Sequence, residues 1–199
     1  MGTMGPEPTR VFLLSPADCA GDRARLVRSP RAAFPLAARL RNGGAPLGEV
    51  MSFMSGLYFR GKLAYARAFA RPPDGVLVIT PNAGLVPADA IVTLADIRRF
   101  ARGEVDPARP GYRRPLVAAA KTLAAALPPE GQVVLLGSIA TDKYASPLLP
   151  LFGERLVFPP AFVGIGDMRR GALLLRAARA GVELPYTPLV GAARRRPRT

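Results

Sequence analysis

The sequence predicts an α/β fold: a single domain over residues 11–190 with a mostly parallel sheet of about four strands and helices on both faces. Three observations lead there. Four short runs, 11–14, 75–80, 132–136 and 155–158, are almost continuously apolar, as strands buried on both faces must be. Helix-forming stretches separate them, which is what crossovers between parallel strands require. Each run leaves through Ser, Pro, Gly or Asn, the residues of tight exits. A chain of 199 residues suits one domain and can bury about 70% of its unfolded surface without metal or disulfide staples.

The elements follow in order. Val11-Phe12-Leu13-Leu14 is a buried first strand ended by Ser15-Pro16. Asp18 to Pro30 is polar and reads as a connection, followed by a short helix, Leu36 to Arg41, which Asn42-Gly43-Gly44 would end. Gly56 to Ala70 is the best helix of the first half. Leu57, Leu63, Ala66 and Ala70 recur near helical spacing, while Arg60, Ala64, Arg67 and Arg71 form an opposite stripe. Pro72-Pro73 stops it. Gly75 to Thr80 is the second strand, with Pro81-Asn82-Ala83-Gly84 as its exit turn. Thr93 caps a helix over Leu94 to Arg102, and 103–115 is a Pro- and Arg-rich loop. Pro115 at the first helical position opens an Ala-rich helix to Leu127. Gln132 to Leu136 is the third strand, leaving through Gly137-Ser138; Tyr144 to Leu151 is helical around Pro147; Arg155 to Phe158 is an edge strand. Asp167 caps a last helix, Met168 to Ala180, with Gly181 just past its end. Residues 1–10 and the basic tail 191–199 are expected to be disordered.

Composition excludes several chemistries. With no His, neither a Ser-His-Asp nor a Cys-His arrangement nor a His-ligated metal is available, and one Cys allows no internal disulfide or paired-cysteine zinc site. No metal or cofactor is expected. The apolar run Leu116 to Leu127 is broken by Lys121 and too short to span a membrane, and Met1 to Arg10 has no apolar core of a secretory signal. A cytoplasmic location is the expectation. The net charge is +14, and 25 of the 28 basic residues are Arg. Residues 1–71 carry net +7, residues 72–193 net +3 and residues 194–199 net +4, so the excess sits in the first third and the last six positions. That clustering points to a polyanionic partner, DNA or a nucleotide, held by phosphate neutralisation.

In α/β sheets ligands bind beyond the carboxyl ends of the strands, so three exits are the candidates: Ser15 to Cys19, Thr80 to Leu85 and Gly137 to Tyr144. Asp18 suits a general base or water activator, or else an Asx turn after Ser15-Pro16. Asn82 carries the donor and acceptor that read a nucleobase edge, or else serves the turn. Cys19, without a His to deprotonate it, reads as a buried thiol. Ser15, Lys62, Ser138, Thr141 and Lys143 are candidate phosphate or substrate contacts. The Ser138 and Lys143 pair lacks the Ser-x-x-Lys spacing of acylating enzymes. Gly164, Gly166, Arg169 and Arg170 form a Gly-rich turn into a helix, a general anion site rather than a dinucleotide fingerprint, since the third glycine is missing. Tyr58, Tyr65, Tyr112 and Tyr144 stand near arginines and could stack on bases.

Several segments resemble one group of proteins. Ser55-Gly56-Leu57-Tyr58-Phe59-Arg60-Gly61-Lys62 opens a helix like its "LY-G-xF" helices, Val78 to Leu85 is similar to its "ILSAKYGLL" strand-turn, and Val163 to Arg170 to its "GLGIGxRLxWL" closing helix. This is the pattern of small bacterial proteins related to the peroxide-stress protein YaaA. Gln132 to Tyr144 also resembles the strand-helix of uracil-DNA-glycosylase-like folds. Pro81-Asn82 stands where the strand-turn has Ala-Lys, and no GQDPYH or HPS motif is present. The resemblance implies a DNA- or nucleobase-related role, and without those motifs it does not carry glycosylase activity with it. The first expectation from the residues is a nucleic-acid-binding protein able to act on a nucleobase or N-glycosidic bond in DNA, with Asp18 activating water, Asn82 reading the base, and Lys143, Arg169 and Arg170 holding phosphate. The alternatives are an enzyme on a small nucleotide or phosphorylated metabolite, and a non-catalytic basic adaptor.

Overall fold

The computed structural model describes residues 9–72 and 74–192, so most of the two termini expected to be disordered lie outside the described residues. In chain order the elements are β1 (Arg10–Leu14), α1 (Asp22–Arg28), α2 (Pro35–Asn42), β2 (Ala45–Pro46), α3 (Leu47–Ser55), α4 (Leu57–Phe69), β3 (Val76–Ile79), β4 (Leu85–Pro87), β5 (Ile91–Val92), α5 (Leu94–Ala101), α6 (Pro110–Ala126), β6 (Gln132–Leu136), α7 (Asp142–Phe152), β7 (Leu156–Phe158), α8 (Asp167–Ala180) and β8 (Thr187–Pro188).

The fold is α/β. Its main sheet has six strands in the order β4-β3-β1-β6-β7-β8. β1 runs parallel to both β3 and β6, and β6 runs parallel to β7. The antiparallel strands β4 and β8 lie at the two edges. The sheet is thus wider than the four strands expected. β4 and β8 span three and two residues and each ends at a proline, so neither leaves an apolar run in the sequence. A separate two-stranded pair joins β2 to β5.

Alternation along the strands divides the core in two. Phe12, Leu14, Val76, Val78, Val134, Leu136 and Val157 pack with α4 residues such as Phe59, Tyr65 and Ala66 and with Leu174 of α8. Val11, Leu13, Ile79, Val133, Leu135, Leu156 and Phe158 pack with Tyr112, Leu116 and Ala120 of α6 and with Leu148 and Phe152 of α7.

Four boundaries depart from expectation, each for a local reason. α1 lies inside the polar stretch; it buries only Ala24 and Val27, too few apolar positions to register as a stripe. α3 was not expected, although Leu47, Val50, Met51 and Met54 follow helical spacing and are all buried. α6 opens at Pro110, leaving Pro115 inside the helix. α8 is capped by Gly166, with Asp167 as its first residue, where the carboxylate still complements the helix dipole. The expected Thr93 cap does form: its hydroxyl accepts from the Asp96 amide while the Asp96 carboxylate accepts from the Thr93 amide.

Two close approaches position the site. Gly84 adopts a left-handed φ of 69° and lies so near α6 that an added Cβ would sit 2.5 Å from the Pro115 carbonyl oxygen. Gly61 of α4 and Gly171 of α8 face one another: a Cβ on Gly61 would lie 2.6 Å from the Gly171 oxygen, and one on Gly171 2.9 Å from the Leu57 oxygen. The backbones of α4 and α8 therefore touch, which brings the start of α8 over Tyr58 and Lys62.

Candidate functional site

Chain order reverses across β1: the chain steps to β3 on one side, then returns through α6 to β6 on the other. The carboxyl ends of β1 and β6 therefore flank the crevice where open α/β sheets place ligands. Ser15 is the first residue past β1, and its amide donates to the Leu136 oxygen at 3.2 Å, so the two strand ends stay tied together. Gly137 is the first residue past β6. A Cβ there would lie 3.1 Å from the Ser15 Cβ and 3.4 Å from a ring carbon of Tyr144, so a bare backbone is what lets these groups close up.

A buried polar cluster occupies this point. Lys62, one turn and a half into α4, is 1% exposed. Its Nζ donates to the Ser15 carbonyl at 2.6 Å and lies 2.8 Å from the Ser15 Oγ. It also sits 4.4 Å from the Tyr58 ring centroid and 4.9 Å from that of Phe59. Burial lowers the Lys62 pKa from the usual 10.5 to about 7; the Asp167 carboxylate works against that fall and the Arg170 guanidinium adds to it. Tyr144, from the first turn of α7, faces Ser15 from the other side of the sheet. Burial pushes its hydroxyl up to about 12, with the Ser15 hydroxyl beside it working the other way. The Tyr58 hydroxyl is buried beside the Arg170 guanidinium; burial pushes its pKa up to about 12, with the charge and hydrogen bonding of Arg170 working the other way. Arg170 also donates through Nε and a terminal nitrogen to the Phe162 oxygen at 3.2 and 3.0 Å, and pairs with Asp167 at 3.3 Å.

Beside the cluster opens a cleft of about 650 Å³. Pro16, Asp18, Cys19 and Tyr144 line one part of it, and Glu104, Asp106 and Lys143 the rest. Asp18 is exposed, and its Oδ1 accepts from the Ala20 amide at 2.9 Å, so the Asx turn and the cleft-lining position coexist. Cys19 is buried, its thiol pushed up to about 12 by burial and by Asp18, and it is inert as a nucleophile at neutral pH. Glu104 and Asp106, which sequence reasoning passed over as loop, lie 3.3 and 3.9 Å from Arg109.

The other expected residues distribute as follows. Lys143 is exposed on α7 and reaches the cleft; Thr141 is the residue before α7 and is exposed; the Ser138 hydroxyl accepts from the Ala140 amide at 3.3 Å. Asn82 lines an adjoining hollow of about 420 Å³ with Arg102 and Arg109. Its amide nitrogen donates to the Arg99 oxygen at 2.6 Å, and its side-chain oxygen is buried without a partner among the described residues. Gly164, Gly166 and Arg169 are exposed at the start of α8, whereas Arg170 turns inward. The structure thus joins Ser15 and Lys62 to Asp167 and Arg170, groups Asp18 with Lys143, and leaves Asn82 in the next hollow. Base stacking on the four tyrosines is overturned: Tyr58, Tyr65, Tyr112 and Tyr144 are at most 8% exposed and belong to the core.

A third hollow, about 450 Å³, follows the outer face of α6. Arg113, Arg114 and Lys121 line it together with Pro110, Ala108, Val117 and Ala118, with no carboxylate among these residues. It shares the lining residue Pro110 with the second hollow, and the second shares Pro81, Gly103 and Glu104 with the cleft.

Among the described residues no group of three or more His, Cys, Asp or Glu side chains is placed to hold a metal ion, and no helix is long and apolar enough to cross a membrane. Comparison with family models, curated proteins and solved structures gives no match.

Proposed function

We propose that the protein binds nucleic acid along the outer face of α6 and admits one nucleotide unit to the cleft beyond the strand ends. The observation that carries this reading is the hollow of Arg113, Arg114 and Lys121, cationic without a carboxylate in its lining and separated from the cleft by one hollow that shares lining residues with both. Exposed cations at this spacing neutralise successive phosphates and gain affinity from released counterions. A sheet clad by helices on both faces leaves its carboxyl edge as the place for chemistry. The likeness to YaaA-related and uracil-DNA-glycosylase-like proteins points the same way.

In this reading the cleft receives a nucleobase with its sugar. Lys143 meets a phosphate, and Asp18 presents a carboxylate to the water that hydrolyses the N-glycosidic bond. The water's hydroxyl joins the sugar carbon and its proton leaves with the base. The setting is the cytoplasm. The test is fluorescence anisotropy of a labelled oligonucleotide over a salt series, comparing the full chain with one in which Arg194, Arg195, Arg196 and Arg198 are Ser. Binding that keeps a steep salt dependence after neutralisation of the tail supports a site on the folded part; loss of binding with the tail overturns it.

A further inference from the structure

A second chemistry is built into the end of β1, independent of nucleic-acid binding. Ser15 and Lys62 are 47 positions apart, yet their side chains meet at 2.8 Å inside the protein. A lysine 1% exposed is held among Ser15, Tyr58 and Phe59, with Asp167 and Arg170 as the charged groups facing it from α8. Such a lysine is ordinarily solvated, and removing it from water disfavours its charged form. A neutral amine within hydrogen-bond reach of a serine hydroxyl is the pairing that turns serine into a nucleophile when no histidine is present.

We propose that Ser15 is a nucleophile and Lys62 its general base, together forming an acyl-transfer site that hydrolyses a carboxylic ester entering from the cleft. The geometry supplies each part. The Ser15 carbonyl fixes one Lys62 N–H at 2.6 Å, which aims the amine at Oγ. Ser15 keeps 6% exposure and lies one layer behind the cleft, whose lining includes its neighbours Pro16 and Tyr144. The Tyr58 and Tyr144 hydroxyls are the polar groups nearest this pair, Tyr58 beside the Arg170 guanidinium and Tyr144 beside the Ser15 hydroxyl.

The chemistry closes in two halves. Lys62 takes the Ser15 proton as Oγ bonds to the carbonyl carbon, and the carbonyl π pair moves onto oxygen. Collapse breaks the bond to the alkoxide, which takes the proton from the Lys62 ammonium and departs as alcohol. Water then enters; Lys62 takes its proton, the hydroxide attacks the acyl carbon, the carboxylic acid leaves, and Ser15 recovers its proton from Lys62.

The test uses the full chain and a fluorophosphonate probe, whose P–F bond is replaced by an Oγ–P bond with loss of fluoride. Intact mass should show one adduct, mapped by peptide analysis to Ser15 and absent from Ser15→Ala. The labelling rate should rise with deprotonation of a group near pH 7, where burial places Lys62. Lys62→Met, checked for native folding by circular dichroism, should lower that rate at least about 100-fold and abolish its pH midpoint, which a merely structural lysine would not do. If Lys62→Met does not fold, the Ser15 adduct and the pH profile of the natural chain decide. No adduct on Ser15 in the folded protein, an adduct on another residue, or a rate indifferent to pH near 7 overturns the proposal.

Discussion

Lys62 carries a cost that pH can expose. Its folded pKa lies near 7 and its ordinary value at 10.5, so between those limits the unfolded chain binds a proton that the folded chain does not. Stability on unfolding follows the difference in bound protons, and it rises with pH wherever the unfolded state holds more of them. Below about pH 7 both states are protonated and the full penalty of the buried charge stands; above the unfolded value both are neutral and the penalty is gone. The melting temperature is therefore expected to climb as pH is raised from about 7 towards about 9, above which the raised Cys19 thiol works the other way, and Lys62→Met should remove that climb. Thermal melts of both proteins over this range decide the point: parallel curves would assign the pH dependence to other groups.

At the scale of elements, the α4–α8 crossing determines where the cluster sits. The two glycines let the helix backbones touch, and that contact holds Tyr58 and Lys62 against Asp167 and Arg170. Gly61→Ala sets two effects against each other. Helix propensity favours Ala by roughly 1 kcal/mol. The new Cβ would meet the Gly171 backbone oxygen at 2.6 Å, a contact no side-chain rotation relieves. Forced separation of packed helices costs about 1–3 kcal/mol or more, so the variant is expected to be less stable by denaturant titration despite the better helix former. A gain in stability would show that the crossing tolerates separation.

These elements were unevenly legible in the sequence. β1, β3, β6 and β7 were readable because each is apolar on both faces, although β7, expected at an edge, lies between β6 and the short β8; α4, α5 and α8 were readable because their ends carry clear stop or cap signals. The edge strands and α1 were not, since a two- or three-residue strand or a helix burying two side chains leaves no period to find. The site divides in the same way. Ser15, Asp18 and Lys143 follow from where strands end, and Lys62 stood among the candidate contacts. That Lys62 turns inward to Ser15 depends on tertiary packing across 47 positions, and its place beside Arg60 and Arg67 in sequence suggests a solvated helix instead. Arg60 and Arg67 do face solvent, Arg67 beside Asp89.

At the scale of the whole molecule, a net charge of +14 has to be placed before it means anything. Part of the positive charge in the first third is locally neutralised, with Arg25 on Asp22, Arg39 on Glu49, Arg67 on Asp89 and the half-buried Arg10 on Glu183. The exposed pairs among these contribute little to stability, yet they dilute the field that a polyanion meets. The α6 groove differs, because the charged residues of its lining are all cations. The measurement that tests this most directly is the slope of log affinity against log salt for a duplex oligonucleotide, in the natural chain and in Arg113→Ala/Arg114→Ala/Lys121→Ala. Each phosphate contact contributes about −0.9 to that slope. The account predicts a slope shallower by roughly 2–3 and affinity weakened at least about tenfold at low salt, with the fold intact. An unchanged slope and affinity in the triple variant would contradict it, placing nucleic acid elsewhere on the molecule or nowhere.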